Sequence, residues 1–159
     1  MAPRAETLVR TLGLAPHPEG GHYREVFRSA VSVPTARGPR SALTTIDFLL
    51  ARGEFSAWHR VRSDEVWHLL EGGPLRLWLI PADLSCIEHF DLGPAGQQQQ
   101  PRQVVPADAW QAAEPLGDFA YAGATVAPGF DFADFSFGRD DPALRAALAR
   151  LAPDQQRLL

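Results

Sequence analysis

The chain has 159 residues, a net charge of −4, 45% hydrophobic and 21% charged residues, proportions ordinary for one soluble globular domain spanning 1–159. All 15 basic residues are arginine, which excludes a lysine Schiff base or lysine general base, and the acidic balance lacks the basic face that nucleic-acid binding needs. The lone cysteine, Cys86, excludes an intrachain disulfide and a cysteine-rich zinc site.

In chain order, Leu8, Val9, Leu12 and Leu14 recur at helical spacing within 4–14, and Pro16 and Pro18 stop that helix. The opening MAPRAETLVRTLGLAP has no apolar core of a signal peptide, and no apolar run reaches the roughly 20 residues that span a bilayer. A cytoplasmic protein without a membrane partner is expected. Segments 22–29, 42–50, 56–61, 65–72, 75–80 and 86–90 read as short strands punctuated by Gly, Pro and Ser-Asp turns. A glutamine run, Gln97 to Gln100, reads as a solvated hairpin loop. Strands follow at 103–106, 110–113 and 119–126, then PGFDFADFSFG (128–138), whose Phe130, Phe132 and Phe135 read as core aromatics and whose Asp131 and Asp134 read as turn anchors. A final helix is capped by Asp140 or Asp141, starts at Pro142, and carries Leu144, Leu148 and Leu151 as its apolar stripe. Nine or ten short strands between two terminal helices make the fold class mainly β, a closed or double-sheet barrel.

The most specific stretch is Gly53-x5-His59-x-Val61-x3-Glu65-x6-Gly72. Its spacing matches the first signature of the cupins, with Val61 where that signature has a second histidine. Pro106 to Gln111 occupies the place of the second signature, with Asp108 for a glycine and Gln111 for a histidine. Taken with HPEGGHYRE (17–25), FLLARGEFSAWHRVRSDEVWHLLEG (48–72) and TVAPGFDFADF (125–135), the chain resembles the fifth cupin family, a group without an agreed reaction. The resemblance covers about residues 5–150. It implies a double-stranded β-helix, the jelly-roll barrel, and a homodimer whose N-terminal strands join the partner's sheet. Asp108 departs from the glycine usual in that family, so the turn before Gln111 is expected to differ locally.

Alternate side chains of a strand share a face, and the cupin pattern points His59 and Val61 inward. A strand starting at Glu65 turns Glu65, Trp67 and Leu69 inward as well, and Gln111 is expected to converge on them. Two chemistries use these residues. In the metal-free one, His59 is a base and Glu65 orients its ring, raises its pKa or serves as a second acid. Gln111 positions a polar metabolite, and Tyr121 is the acid by analogy with metal-free sugar-nucleotide epimerases of similar fold. In the other, His59, Glu65 and Gln111 ligate a divalent metal (Fe, Mn, Ni or Zn) with water; one imidazole, one carboxylate and an amide form a poor donor set, so this reading ranks second. Phe48 and Trp67 are the expected pocket-lining aromatics, and His68 joins them only if a bulge turns it inward. Glu19, His22 and Arg24 read as a solvated edge strand, the alternative being that a swapped strand carries them to a partner's pocket, and His17 and His89 read as surface or loop residues. The expectation is an isomerase-, epimerase- or cyclase-like enzyme acting on a small molecule. A binding module without turnover is the alternative, and a purely structural His59–Glu65 pair is the bland one.

Overall fold

The computed structural model describes residues 1–159. Helix α1 (Pro3–Leu12) precedes strands β1 (Ala15–Pro16), β2 (His22–Arg28), β3 (Ser32–Val33), β4 (Arg40–Ser41), β5 (Thr44–Ala51), β6 (Ser56–Val61) and β7 (Asp64–Gly72). Strands β8 (Leu75–Ile80), β9 (Glu88–Leu92), β10 (Arg102–Val105), β11 (Trp110–Pro115), β12 (Phe119–Ala127) and β13 (Phe135–Phe137) follow. Helix α2 (Pro142–Leu151) and a 3-10 turn, Pro153–Leu158, close the chain. The main strands fall where turn residues and apolar runs place them. No helix is long and apolar enough to cross a membrane.

One sheet has six strands in the order β1-β2-β5-β12-β7-β10, and the other has five, β13-β6-β11-β8-β9. Pairing is antiparallel throughout both, so each face can alternate cleanly between core and exterior. On β5, Phe48 and Leu50 point between the sheets and pack with Trp67, Leu75, Leu77, Leu79, Leu92 and the alanines of β12. The opposite parity faces out: Leu49 meets Ala5, Leu8 and Leu14 around α1. On the other sheet Trp58, Ile80 and Trp110 meet Leu144, Leu148 and Leu158. Each helix therefore covers the outer face of one sheet.

The space between the sheets is filled at one end and open at the other. Phe48 and Trp67, edge to face with centroids 5.6 Å apart, mark the boundary. Beyond them the same inward rows continue as Ile46 and Thr44 on β5, Ala124 and Val126 on β12, and His59 and Val61 on β6, all lining a cavity of about 580 Å³.

Several expectations need correction. The glutamine segment is no hairpin loop: β9 and β10 lie at the edges of different sheets, so the segment crosses between them. Asp141, not Asp140, caps α2, its carboxylate accepting the Leu144 N–H at 2.8 Å. Asp108 has φ +67°, the left-handed conformation that aspartate tolerates better than most side chains; the turn a glycine would make is thus retained. Asp131 does anchor its turn, accepting from the Ala133 N–H at 2.8 Å.

Asp134 does more than anchor a turn. Its buried carboxylate accepts from Arg37 at 2.9 Å and from Arg40 at 2.9 and 3.0 Å, tying the β3–β4 hairpin region to the Phe130–Phe135 segment. The two guanidiniums, Arg40 first, hold its pKa down to about 2. A carboxyl depressed in the fold contributes stability above its unfolded pKa and loses it as pH falls through the folded value. We expect Asp134→Ala to destabilise the protein by about 2 kcal/mol in urea unfolding at neutral pH, with the difference from wild type shrinking below pH 4.

Candidate functional site

His59 sits on β6 with its ring buried and stacked on Phe135, centroids 5.3 Å apart. Nδ1 lies 2.7 Å from the Ala57 carbonyl. A carbonyl only accepts, so Nδ1 carries the proton and Nε2 presents its lone pair. That lone pair meets Glu19 Oε2 at 3.2 Å, while the Ser56 hydroxyl donates to Glu19 Oε1 at 2.9 Å. A protonated Glu19 completes the run from Ser56 through Glu19 and His59 to Ala57 without a clash of donors.

Glu19 is the residue that periodicity misplaced. It is 7% exposed and belongs to the cavity floor of its own chain, not to a solvated edge. Its backbone is drawn in by Gly20, which has φ +110° and approaches β6 so closely that a Cβ would lie 2.0 Å from the Phe55 carbonyl oxygen. The Ala57 N–H then donates to the Glu19 carbonyl at 2.7 Å. His17 is also misread as a surface residue: it lines the cavity, packs edge-on to Tyr23 and Phe48, and accepts the Glu19 N–H at Nδ1. The signal available in the sequence was HPEGG, where paired glycines beside an acid mark a close backbone approach.

A second run ends beside the first. The Trp67 indole N–H, which can only donate, gives to Gln111 Oε1 at 2.8 Å. This fixes the amide so that its NH₂ faces Glu65, and Nε2 donates to Glu65 Oε2 at 2.5 Å. Glu65 Oε1 makes no hydrogen bond within the protein. Glu65 and His59 share the cavity but do not hydrogen-bond each other, so they are not a self-satisfying pair.

Burial dominates every ionisation here. It pushes Glu19 up to about 8, partly offset by the Ser56 hydrogen bond. It pushes Glu65 up to about 7, with His59 and Gln111 opposing and the Glu19 charge adding. Burial lowers His59 despite the Glu65 charge and, with the His59 charge adding, His17 to about 4. The expected rise in the His59 pKa is thus reversed, because desolvation outweighs a neighbour that is itself reluctant to ionise.

The other expected site residues fall elsewhere. Gln111, Trp67 and Phe48 are fully buried beneath the cavity and do not line it; they support its floor. Tyr121 points to the outer face under α1, donates to Asp47 at 3.0 Å, and burial followed by that bond pushes it up to about 12. An even register along β12 puts Ala120, Ala122 and Ala124 inward, leaving the tyrosine on the wrong face for the cavity. No bulge turns His68 inward; it lies opposite Arg102 and is lowered by slight burial and by that charge. Phe130, Phe132 and Phe135 line the cavity and are not plain core.

The family described as Cupin superfamily (DUF985) matches residues 6–138. The chain belongs to this family. The cupin is similar to a hypothetical protein from Leishmania major, at 31% identity and TM-score 0.80 over 93% of this chain and 98% of that one. It is similar to a Shewanella oneidensis protein at 30% identity and TM-score 0.85, over 97% and 96%. Oxalate decarboxylase from Bacillus subtilis shares the fold at 14% identity and TM-score 0.58, over 91% of this chain and 36% of that one. No curated protein matches the sequence.

The metal-ligand set expected from sequence does not fit a metal. Both ends of Gln111 are committed, to Trp67 and Glu65, Nε2 of His59 meets Glu19, and Val61 replaces the second imidazole. No three His, Cys, Asp or Glu side chains converge as ligands. Adding Mn, Fe, Ni or Zn is therefore expected to leave the melting temperature unchanged, since a ligand that binds only the folded state would raise it.

The raised carboxyls make a second expectation. A carboxyl whose folded pKa exceeds its unfolded value holds its proton more tightly when folded, so its contribution is present at low pH and lost as pH rises. Relative to Glu19→Gln, the wild-type protein is expected to lose stability between pH 5 and 8, at up to about 1.4 kcal/mol per pH unit for one proton. Chemical unfolding across that range reads the slope, and no difference in slope from Glu19→Gln would mean that Glu19 is ionised in the fold.

Proposed function

We propose that this cupin is an enzyme of proton-transfer chemistry, isomerase- or epimerase-like, acting on a small polar metabolite in the barrel cavity. The observation that carries the reading is the pair of hydrogen-bond runs that end on one cavity floor, Ser56–Glu19–His59 and Trp67–Gln111–Glu65. Each orients one proton-handling group and leaves it facing the cavity. Groups whose pKa values sit near the working pH transfer protons best, and burial has brought Glu65 to about 7.

In this mechanism the Glu19 O–H turns away from Nε2, and neutral His59 takes a substrate proton on the lone pair so freed, its ring held by the Nδ1–H bond to Ala57. The Glu19 carboxyl, 3.2 Å away, stabilises the imidazolium that forms. Glu65, held at Oε2 by Gln111, returns a proton from its free oxygen. Glu19 takes the ring-orienting role expected of Glu65, and Glu65 becomes the acid in place of Tyr121. The cavity volume, about 580 Å³, suits one small molecule.

Solvent exchange tests this directly. Candidate metabolites incubated with the protein in D₂O are followed by NMR for loss of a carbon-bound proton signal. His59→Ala is expected to slow exchange ~10²–10⁴-fold, and wild-type exchange in that variant would refute the mechanism. The rate should fall as pH rises through about 7, where Glu65 gives up its proton, and Glu65→Gln should remove that limb along with most activity. Unchanged ligand recovered after long incubation would instead identify a binding module.

A further inference from the structure

Electrostatically the cavity is lopsided. Glu19, Glu25, Glu65 and Asp131 line it, against two arginines. Arg28 is not free for a ligand anion. It is held by both oxygens of Glu25 at 2.9 and 2.8 Å and twice by the Phe130 carbonyl at 3.1 Å. Arg24 makes no ion pair, but it is exposed and stands opposite Asp47 in the strand register, at the rim and not on the floor with Glu19 and Glu65. No lysine exists in the chain to supply another cation. An anionic group reaching the floor would meet the buried carboxyls of Glu19 and Glu65 with no cation beside it, which is costly.

The opposite charge finds partners ready. Glu65 is 6% exposed, lines the cavity, and leaves Oε1 without any hydrogen bond. Glu19 shares the same floor, its Oε2 facing only the His59 ring at 3.2 Å and the His17 ring at 3.9 Å. Above them Phe130, Phe135 and Tyr23 line the walls, the kind of aromatic surface that attracts an organic cation. Ile46, Ala124 and Val126 complete an apolar wall with no donor or acceptor of its own. Two buried carboxyls under an aromatic wall form a receptacle for an ammonium group on an apolar body.

We infer that the ligand of this cavity is an organic amine, bound as its ammonium ion to Glu19 and Glu65 with its apolar part against Phe130 and Phe135. The inference rests on the proposed reading of the cavity as the substrate site and narrows the substrate class from polar metabolites to amines. A bound ammonium would ionise the carboxyls it touches, so for an amine substrate the proton that Glu65 returns is relayed from the ammonium it holds. It also removes sugar nucleotides, the substrates that analogy with epimerases of similar fold suggests, from the first rank.

Three probes of nearly equal shape separate the outcomes: phenethylammonium, 2-phenylethanol and 3-phenylpropanoate, titrated by NMR against the full-length protein near pH 7.5. The ammonium is expected to bind at least about tenfold more tightly than the alcohol, and the carboxylate not at all. Glu65→Gln and Glu19→Gln keep the side-chain shape and should each weaken ammonium binding about tenfold or more while leaving the alcohol nearly unaffected, which distinguishes lost charge from a damaged fold. Carboxylate binding equal to or tighter than ammonium binding would overturn the inference. So would ammonium binding that both glutamine variants retain, or no binding by any probe. Amine binding without His59-dependent exchange would leave this inference standing and defeat the proposed reaction; His59-dependent exchange on an anionic substrate would do the reverse.

Discussion

Everything in this site follows from burying carboxyls with no cation beside them. Removing a carboxylate from water costs several kcal/mol unless it is neutralised or richly hydrogen-bonded, and the barrel interior supplies no arginine for Glu19 or Glu65. The protein meets that cost by holding protons on the acids and by giving each a tailored partner: a hydroxyl from Ser56 for one, an amide from Gln111 for the other. The imidazole between them responds to the same desolvation in the opposite direction. Burial thus brings both acids up toward neutrality and lowers the imidazole.

The scaffold makes that floor by simple alternation. Along β5 the inward row runs Thr44, Ile46, Phe48, Leu50, and along β12 it runs Val126, Ala124, Ala122, Ala120. Large aromatics and leucines fill the half near Phe48 and Trp67, while Val61, Ala124 and Val126 leave the other half open. Trp67 serves both halves, filling the core with its ring and fixing the Gln111 amide with its N–H. A single buried indole therefore sets packing and polarity together, which explains why Gln111 acts beneath the cavity and not inside it.

Closure of the site depends on segments distant in sequence. Glu19 arrives from the loop before β2, and the Phe130–Phe135 segment arrives from the chain's last third, clamped by Asp134 to Arg37 and Arg40. These contacts have little local propensity behind them. They persist because the Gly20 approach, the Ser56 bond and the arginine pair each satisfy a polar group that would otherwise be orphaned.

Much was legible from residue order alone. Turn chemistry and period-two alternation located the main strands, helical spacing and capping residues located both helices, and the resemblance to the cupin pattern pointed His59 and Glu65 inward. Alternation also showed His68 on the outer face. The parity of Tyr121 was readable in principle, but analogy pointed it inward. What only the tertiary structure decided was which groups meet: Glu19 on His59, His17 on the floor, Gln111 turned to Glu65 by Trp67. Local patterns encode which way a side chain points because backbone geometry repeats every two residues. They do not encode which distant loop descends onto that face, since that is settled by long-range packing and by the need of buried polar groups for partners.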